Sequence, residues 1–295
     1  VTGRSLPDPR RHAYRADLAA EELRGTVDAP RYVRGEPRQI AAPCLPLRRE
    51  PRFDSLLETE ALFGEIVTLF DEREGWAWVQ LTRDGYVGYM PSEGLTRALS
   101  APTHRIAALR TYIYPEPDGK TPPLCLLSLN ALVTVAKPHG RFLELADRGY
   151  TFAGHLVPID RFAGDFVGVA EAFIGTPYLW GGRTSVGLDC SSLVQLALEA
   201  AGRSAPRDAD MQEAELGRPL RKGEKLRRGD LVFWEGHVGI MTSGKDLLHA
   251  NAFHMAVEHE PYAQAKRRIR EASFAVRCVR RLPGRAACPR SARAK

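Results

Sequence analysis

The chain has 295 residues, more than one average domain, and its 44% apolar content suits a protein that buries several cores. A formal charge of +6 and a pI near 9.2 are modest for this length. Much of the excess lies at two arginine-rich ends, Arg4 to Arg15 and Arg267 to Lys295. Such ends read as solvated helix faces and tails rather than a nucleic-acid stripe, and no apolar run is long enough to cross a bilayer. Neither nucleic-acid binding nor membrane insertion is expected.

Residues 1–28 read as an N-terminal arm. Val1 to Arg15 is polar, without the apolar core of a signal peptide. Taken as the natural start, this points to a cytoplasmic protein; a trimmed leader would make it an exported one. The cysteines Cys44, Cys125, Cys190, Cys278 and Cys288 show neither metal-type spacing nor an even disulfide framework, so reduced thiols are expected and no metal or organic cofactor is implied.

The chain then repeats itself. Leu47-Arg48, Gly64 to Leu69, Trp76 to Val79 and Gly85 to Tyr89 find counterparts in Leu109-Arg110, Asn130 to Val135, Arg141 to Leu145 and Gly149 to Phe152, a period near 64 residues. Short alternating strands with frequent turns predict two small β-barrels, over 29–98 and 99–160. Both resemble bacterial SH3-like domains. Trp76 and Trp78 are expected in barrel core or packing surface.

Past residue 161 the pattern changes. Leu193, Val194, Ala197, Leu198 and Ala201 recur at helical spacing, Asp189 can cap the start, and Gly202 sits where a left-handed helix end would fall. Cys190 would occupy the first turn, at the positive end of the helix dipole, which favours thiolate. The helix alone leaves two readings open, a nucleophile and a buried structural cysteine. A base elsewhere decides between them. Asp230 to Trp234 and His237 to Met241 flank Glu235-Gly236 as a tight hairpin, and a second turn, Thr242 to Asp246, leads to Leu247-Leu248-His249. If Met241 pairs with Leu247, His249 falls opposite Gly239, which leaves room for an imidazole, and His237 shares that face. The histidines would then be diagonal neighbours, roughly 7–8 Å apart at the backbone.

Five blocks now stand in order: Pro177 to Gly182, Leu188-Asp189-Cys190-Ser191, Gly229 to Phe233, His237-Val238-Gly239-Ile240 and Leu248-His249-Ala250. They resemble the catalytic domain of NlpC/P60 cysteine peptidases, over roughly Phe162 to Leu282. The family usually has glycine where this chain has Ser192. The resemblance implies a papain-like α+β domain over 161–283, with Cys190 as nucleophile, His237 as general base and His249 orienting His237. The backbone N–H of Cys190 is a candidate oxyanion donor. The remaining 284–295 reads as a basic, disordered tail.

Two barrels ahead of this domain resemble the layout of γ-D-glutamyl-L-diamino-acid endopeptidases that act on murein peptides. That likeness implies a first barrel narrowing the cleft so that only a free N-terminal L-alanine fits. Asp189 and Ser191 match the family positions that hold the amine, and Tyr86 is the expected third member; Tyr150 is its repeat-equivalent. Tyr178 and Trp180 are expected to line the cleft. Arg207 meets either a substrate carboxylate or a protein acid. Two other readings stay open: a non-catalytic wall-binding protein, marked by a blocked cleft or a Cys190 remote from His237, and an acyltransferase or amidase on capped substrates, marked by a wide apolar channel.

Overall fold

The computed structural model describes residues 6–284, so the expected tail from 285 onward and Cys288 lie outside it. The first β unit is a seven-stranded sheet in the order Leu95–Thr96, Glu36–Ile40, Ile66–Arg73, Trp76–Leu81, Val87–Pro91, Cys44–Arg48, Leu57–Leu62. Alternation sends Leu47, Val67, Val79 and Met90 into one core. Glu74 and Gly75, both at positive φ, make the two-residue turn that a right-twisted hairpin prefers.

The second β unit repeats this plan in smaller pieces. Strands Val135–His139, Phe142–Leu145 and Tyr150–Phe152 form a meander, then a single 3-10 turn and Leu156–Pro158, as Ser92–Gly94 and Leu95–Thr96 follow the first meander. The left-handed positions recur too: Gly64 with Asn130, Gly75 with Gly140, Gly85 with Gly149. The period read from the sequence is thus a period of turns. Trp78 is buried against Phe70, and Trp76 packs beside Phe53.

The arm differs from expectation. Tyr14–Arg15 and Leu18–Ala20 pair antiparallel, and Tyr32–Val33, assigned from the sequence to the first barrel, joins them in parallel. Leu18, Ala20, Leu23 and Val27 pack on Phe70 and Trp78. Nor are its arginines a solvated run: Arg10 pairs with Asp8, Asp208 and Asp210, Arg11 with Glu215, and Arg15 with Asp17 and Asp71. Apolar residues spaced between the charges give the arm a core shared with Phe70 and Trp78 of the first β unit, which holds the charges in place.

Among the described residues the C-terminal part has four helices, α1 (Phe166–Glu171), α2 (Cys190–Ala200), α3 (Ala209–Glu215) and α4 (Tyr262–Glu271). Its six-stranded sheet runs Arg218–Pro219, Cys278–Arg281, Asp230–Trp234, His237–Met241, Asp246–Asn251, Ala256–Pro261. Val238, Ile240 and Leu248 share a core with Leu193, Val194 and Leu196 of α2, whereas Val232, Trp234, Met241 and Leu247 meet Ala265 of α4. Each large apolar side chain so buried contributes about 1.5–3 kcal/mol.

Helix α2 is enclosed on nearly every side, and its polar residues are answered by the other units. Arg183, fully buried, donates to Gln195 (3.1 Å) and Glu199 (2.7 Å) of α2 and to Glu65 (2.9 Å) of the first β unit. Gln195 donates to Asp84 at 2.9 Å, and Asn130 of the second unit donates to the Leu196 carbonyl at 3.0 Å. Gly181, at φ +75°, lies so close to the first unit that a Cβ there would stand 2.3 Å from the Leu57 carbonyl oxygen. Gly181, the first glycine after Trp180, is therefore a docking requirement, whereas Gly182 makes room for Gly187 and Leu179 of its own unit.

Candidate active site

Cys190 is the first residue of α2. Asp189 caps the helix by accepting from Ser192 N–H at 2.9 Å, and Gly202 ends it at φ +75°. At this position the Cys190 N–H has no intrahelical acceptor, which leaves it for an oxyanion. The helix-dipole expectation of a thiolate is not met in the substrate-free cleft. Burial, reinforced by the neighbouring Asp189 charge, pushes the thiol up to about 12, against the opposing pull of the Val238 N–H and the Arg207 guanidinium.

The register on which the histidine argument depended is the one found: Met241 pairs with Leu247 and Ile240 with Leu248. His237 and His249 share a face, and His237 Nε2 lies 2.8 Å from His249 Nδ1. Gly239 serves a different purpose from the one read in the sequence. Its missing Cβ makes room for Leu247, whose side chain would be 2.8 Å away, rather than for an imidazole. Burial, then the adjacent His249 and Arg268, push His237 down to about 3. The backbone N–H of Val238, next to His237, reaches the Cys190 sulfur. Both shifts favour the neutral form, of the thiol and of the imidazole alike.

A cleft of about 270 Å³ opens over Cys190. Its walls include Tyr178, Trp180, Asp189, Ser191 and Arg207 of the C-terminal part, Arg49, Glu58 and Tyr86 of the first β unit, and Arg10 of the arm. All the residues named from the sequence for substrate contact thus meet in one place, whereas Tyr150 stacks edge-on against His139 in the second unit. Tyr86 is both barrel core and cleft wall: its ring is buried, and its hydroxyl donates to Asp208 at 3.0 Å.

One assignment is corrected. Arg207, 1% exposed, donates to Asp189 at 2.7 and 3.0 Å, to the Ser191 hydroxyl at 2.9 Å and to the Thr59 hydroxyl at 2.8 Å. Four of the five guanidinium N–H groups are thus taken by protein acceptors, so the side chain serves Asp189 rather than a substrate carboxylate. Burial alone would raise Asp189, but Arg207 and the Ser192 N–H hold it below the usual carboxylate range. The sequence reasoning also missed Glu58, Asp208 and Glu260, whose carboxylate accepts from His249 Nε2 at 2.8 Å. Only Asp208, beside Arg207, carried a sequence signal.

A thiol at a helix start, packed against the strand that carries a linked pair of imidazoles, suits a cysteine peptidase, and comparison with known proteins gives that class. The NlpC/P60 pattern matches residues 175–272, and a bacterial dipeptidyl-peptidase SH3 domain pattern matches 47–95. The chain is 32% identical over 221 residues to a γ-D-glutamyl-L-lysine dipeptidyl-peptidase of Bacillus subtilis, covering 67% of this chain and 73% of that one. A protein of the same name from Bacillus cereus is 29% identical over 237 residues, 70% of each chain. The crystal structure of a Bacillus cereus NlpC/P60 protein shares the fold, with a TM-score of 0.71 over 84% of this chain and 100% of that one at 22% identity. The chain belongs to the NlpC/P60 family.

Proposed function

We propose that the chain hydrolyses the amide between γ-D-glutamate and a diamino acid, meso-diaminopimelate or lysine, in murein stem peptides that begin with a free L-alanine. The observation that carries this reading is the cleft itself: Glu58 and Tyr86 of the first SH3-like domain stand in the wall of the space that opens on Cys190. Carboxylates and a hydroxyl in the cleft wall suit a short peptide with a cationic terminus. The names of the two Bacillus relatives support the same substrate class. We read 99–160 and the part of 29–98 beyond the arm's Tyr32–Val33 strand as a pair of SH3-like barrels, and 161–283 as a papain-like α+β domain.

In this mechanism Cys190 Sγ attacks the γ-glutamyl carbonyl while its proton passes to His237 Nδ1, the ring nitrogen not bonded to His249. The Cys190 N–H receives the oxyanion. Imidazolium then protonates the departing amine of the diamino acid. Water, activated by the regenerated imidazole, resolves the thioester and releases L-Ala-γ-D-Glu. An acyltransferase on lipid-like substrates would want an apolar channel, whereas charged and hydroxyl groups line this cleft. A binding module without catalysis would want Cys190 away from the histidine strand, whereas its sulfur meets the Val238 N–H.

Incubating the protein with L-Ala-γ-D-Glu-meso-diaminopimelate, and with the lysine peptide, and reading products by mass tests the proposal. Release of the dipeptide and free diamino acid, abolished in Cys190→Ala, is expected. Full activity in that variant would overturn the mechanism, and cleavage at any other bond would overturn the substrate.

A further inference from the structure

The chain of hydrogen bonds behind His237 does not stop at His249. His249 is fully buried, and its Nε2 lies 2.8 Å from Glu260 Oε1. Glu260 sits on the neighbouring strand, opposite Leu247, so it reaches His249 diagonally across the sheet. Arg268 of α4 pairs with the same Glu260 oxygen and lies 4.1 Å over the Phe253 ring.

The order of donors follows from valence. A carboxylate only accepts, so His249 Nε2 carries the hydrogen that points to Glu260. A neutral imidazole has one N–H, which leaves His249 Nδ1 as an acceptor. His237 must then donate from Nε2, and its lone pair falls on Nδ1. We infer that Glu260 is a positioning residue for the proposed reaction, fixing through His249 the tautomer in which His237 acts as a base, with Arg268 as its counter-ion. When His237 takes the thiol proton, the Glu260 charge stabilises the imidazolium through two hydrogen bonds, and no proton leaves His249. This rests on the assignment of His237 as base.

Charged and titratable groups around this chain are His237, Arg268, His254, Glu258 and Asp189. Glu260 raises the basicity of His249, whereas burial and Arg268 lower it. The two partners therefore push in opposite directions, which gives the test a sign. In Glu260→Gln the imidazoles lose basicity, so the acid limb of kcat/KM moves to lower pH. In Arg268→Met they gain it, and the limb moves to higher pH.

The experiment measures peptide hydrolysis and, independently of any substrate, iodoacetamide alkylation of Cys190 across pH, with thermal unfolding as a check on folding. Glu260→Gln should lower kcat/KM about ten- to hundredfold, the scale on which partners one bond behind a working imidazole act, mainly in kcat. Alkylation at pH 7 should slow in Glu260→Gln and quicken in Arg268→Met. In a His249→Asn background, where an amide orients His237 without a carboxylate behind it, Glu260→Gln should add little. Limbs that do not move, shifts of the same sign in both variants, or an equal loss in the His249→Asn background would overturn the inference. A protein that cleaves none of the peptides yet shows the opposed alkylation shifts would refute the substrate and leave the relay standing.

Discussion

Replacing Arg207 with methionine is the sharpest test of how the nucleophile is held. The guanidinium supplies Asp189 with charged hydrogen bonds at 2.7 and 3.0 Å, and once it is gone the carboxylate keeps only the Gly181 and Ser192 N–H groups and the Ser191 hydroxyl. Two charged hydrogen bonds at about 1.5–3 kcal/mol each, less what the site recovers by relaxing, agree with the roughly 3–5 kcal/mol measured when one partner of a buried pair is removed. That is a large part of an ordinary stability of about 5–15 kcal/mol. The loss has a pH signature. In the natural protein the Asp189 value is lowered, so the pair stabilises at neutral pH and its contribution is lost as pH falls through the folded value. In Arg207→Met burial is opposed only by the remaining N–H and hydroxyl donors, the folded value rises, and the deficit is greatest at neutral pH and shrinks on acidification. Urea unfolding followed by tryptophan fluorescence at pH 7 and pH 4 reads both effects. The double variant Arg207→Met, Asp189→Asn should recover most of the loss. A cost under about 1 kcal/mol at pH 7, or a double variant worse than the single, would refute the reasoning.

N-acetylated L-Ala-γ-D-Glu-diaminopimelate should be cut roughly thirty- to several-thousand-fold more slowly than the free peptide in kcat/KM, since a desolvated charge contact is worth about 2–5 kcal/mol; equal rates would remove the amine clamp. Tyr86→Phe should harm less than Asp189→Asn, because the Asp189 charge also holds Arg207 and the helix cap. With the thiol up at about 12 and His237 down at about 3, alkylation of substrate-free Cys190 should keep rising through neutral pH, and a plateau reaching down to pH 5 would point to a preformed ion pair. His237 resists a proton that an unfolded chain accepts near 6.5, so its contribution to stability is full above that value and declines as pH falls toward about 3. Gly181→Ala forces a left-handed alanine, about 1–2 kcal/mol for the backbone alone, and drives a methyl into the Leu57 carbonyl. The melting temperature should fall, and unchanged stability would contradict the docking geometry.

What the sequence disclosed was local. Asp189, the apolar spacing and Gly202 specify α2 within a dozen residues, and the Thr242 to Asp246 turn fixes the histidine register because one slipped residue would bury the wrong face. The repeat was legible because left-handed turn positions demand glycine or asparagine. Contacts between distant segments were hidden. Arg10 meets Asp208 across 198 positions, and Arg207 meets Thr59 across 148, distances at which spacing carries no signal. The dipole argument for a thiolate failed for the same reason: it weighed one helix and could not count the burial and the Asp189 charge that assembly imposes.

The charged cluster around Arg183 bears on modularity. Glu65 on one side and Gln195 and Glu199 on the other converge on a single guanidinium with no contact to solvent, so neither unit presents a finished surface without its neighbour. Cut apart at residue 160, the C-terminal piece would keep Gln195 and Glu199 on the nucleophile helix but lose Glu65, leaving the buried Arg183 opened to solvent on that side. Recombining parts among relatives therefore requires moving Glu65, Arg183 and Glu199 as a set, and the natural unit of inheritance is the joined pair.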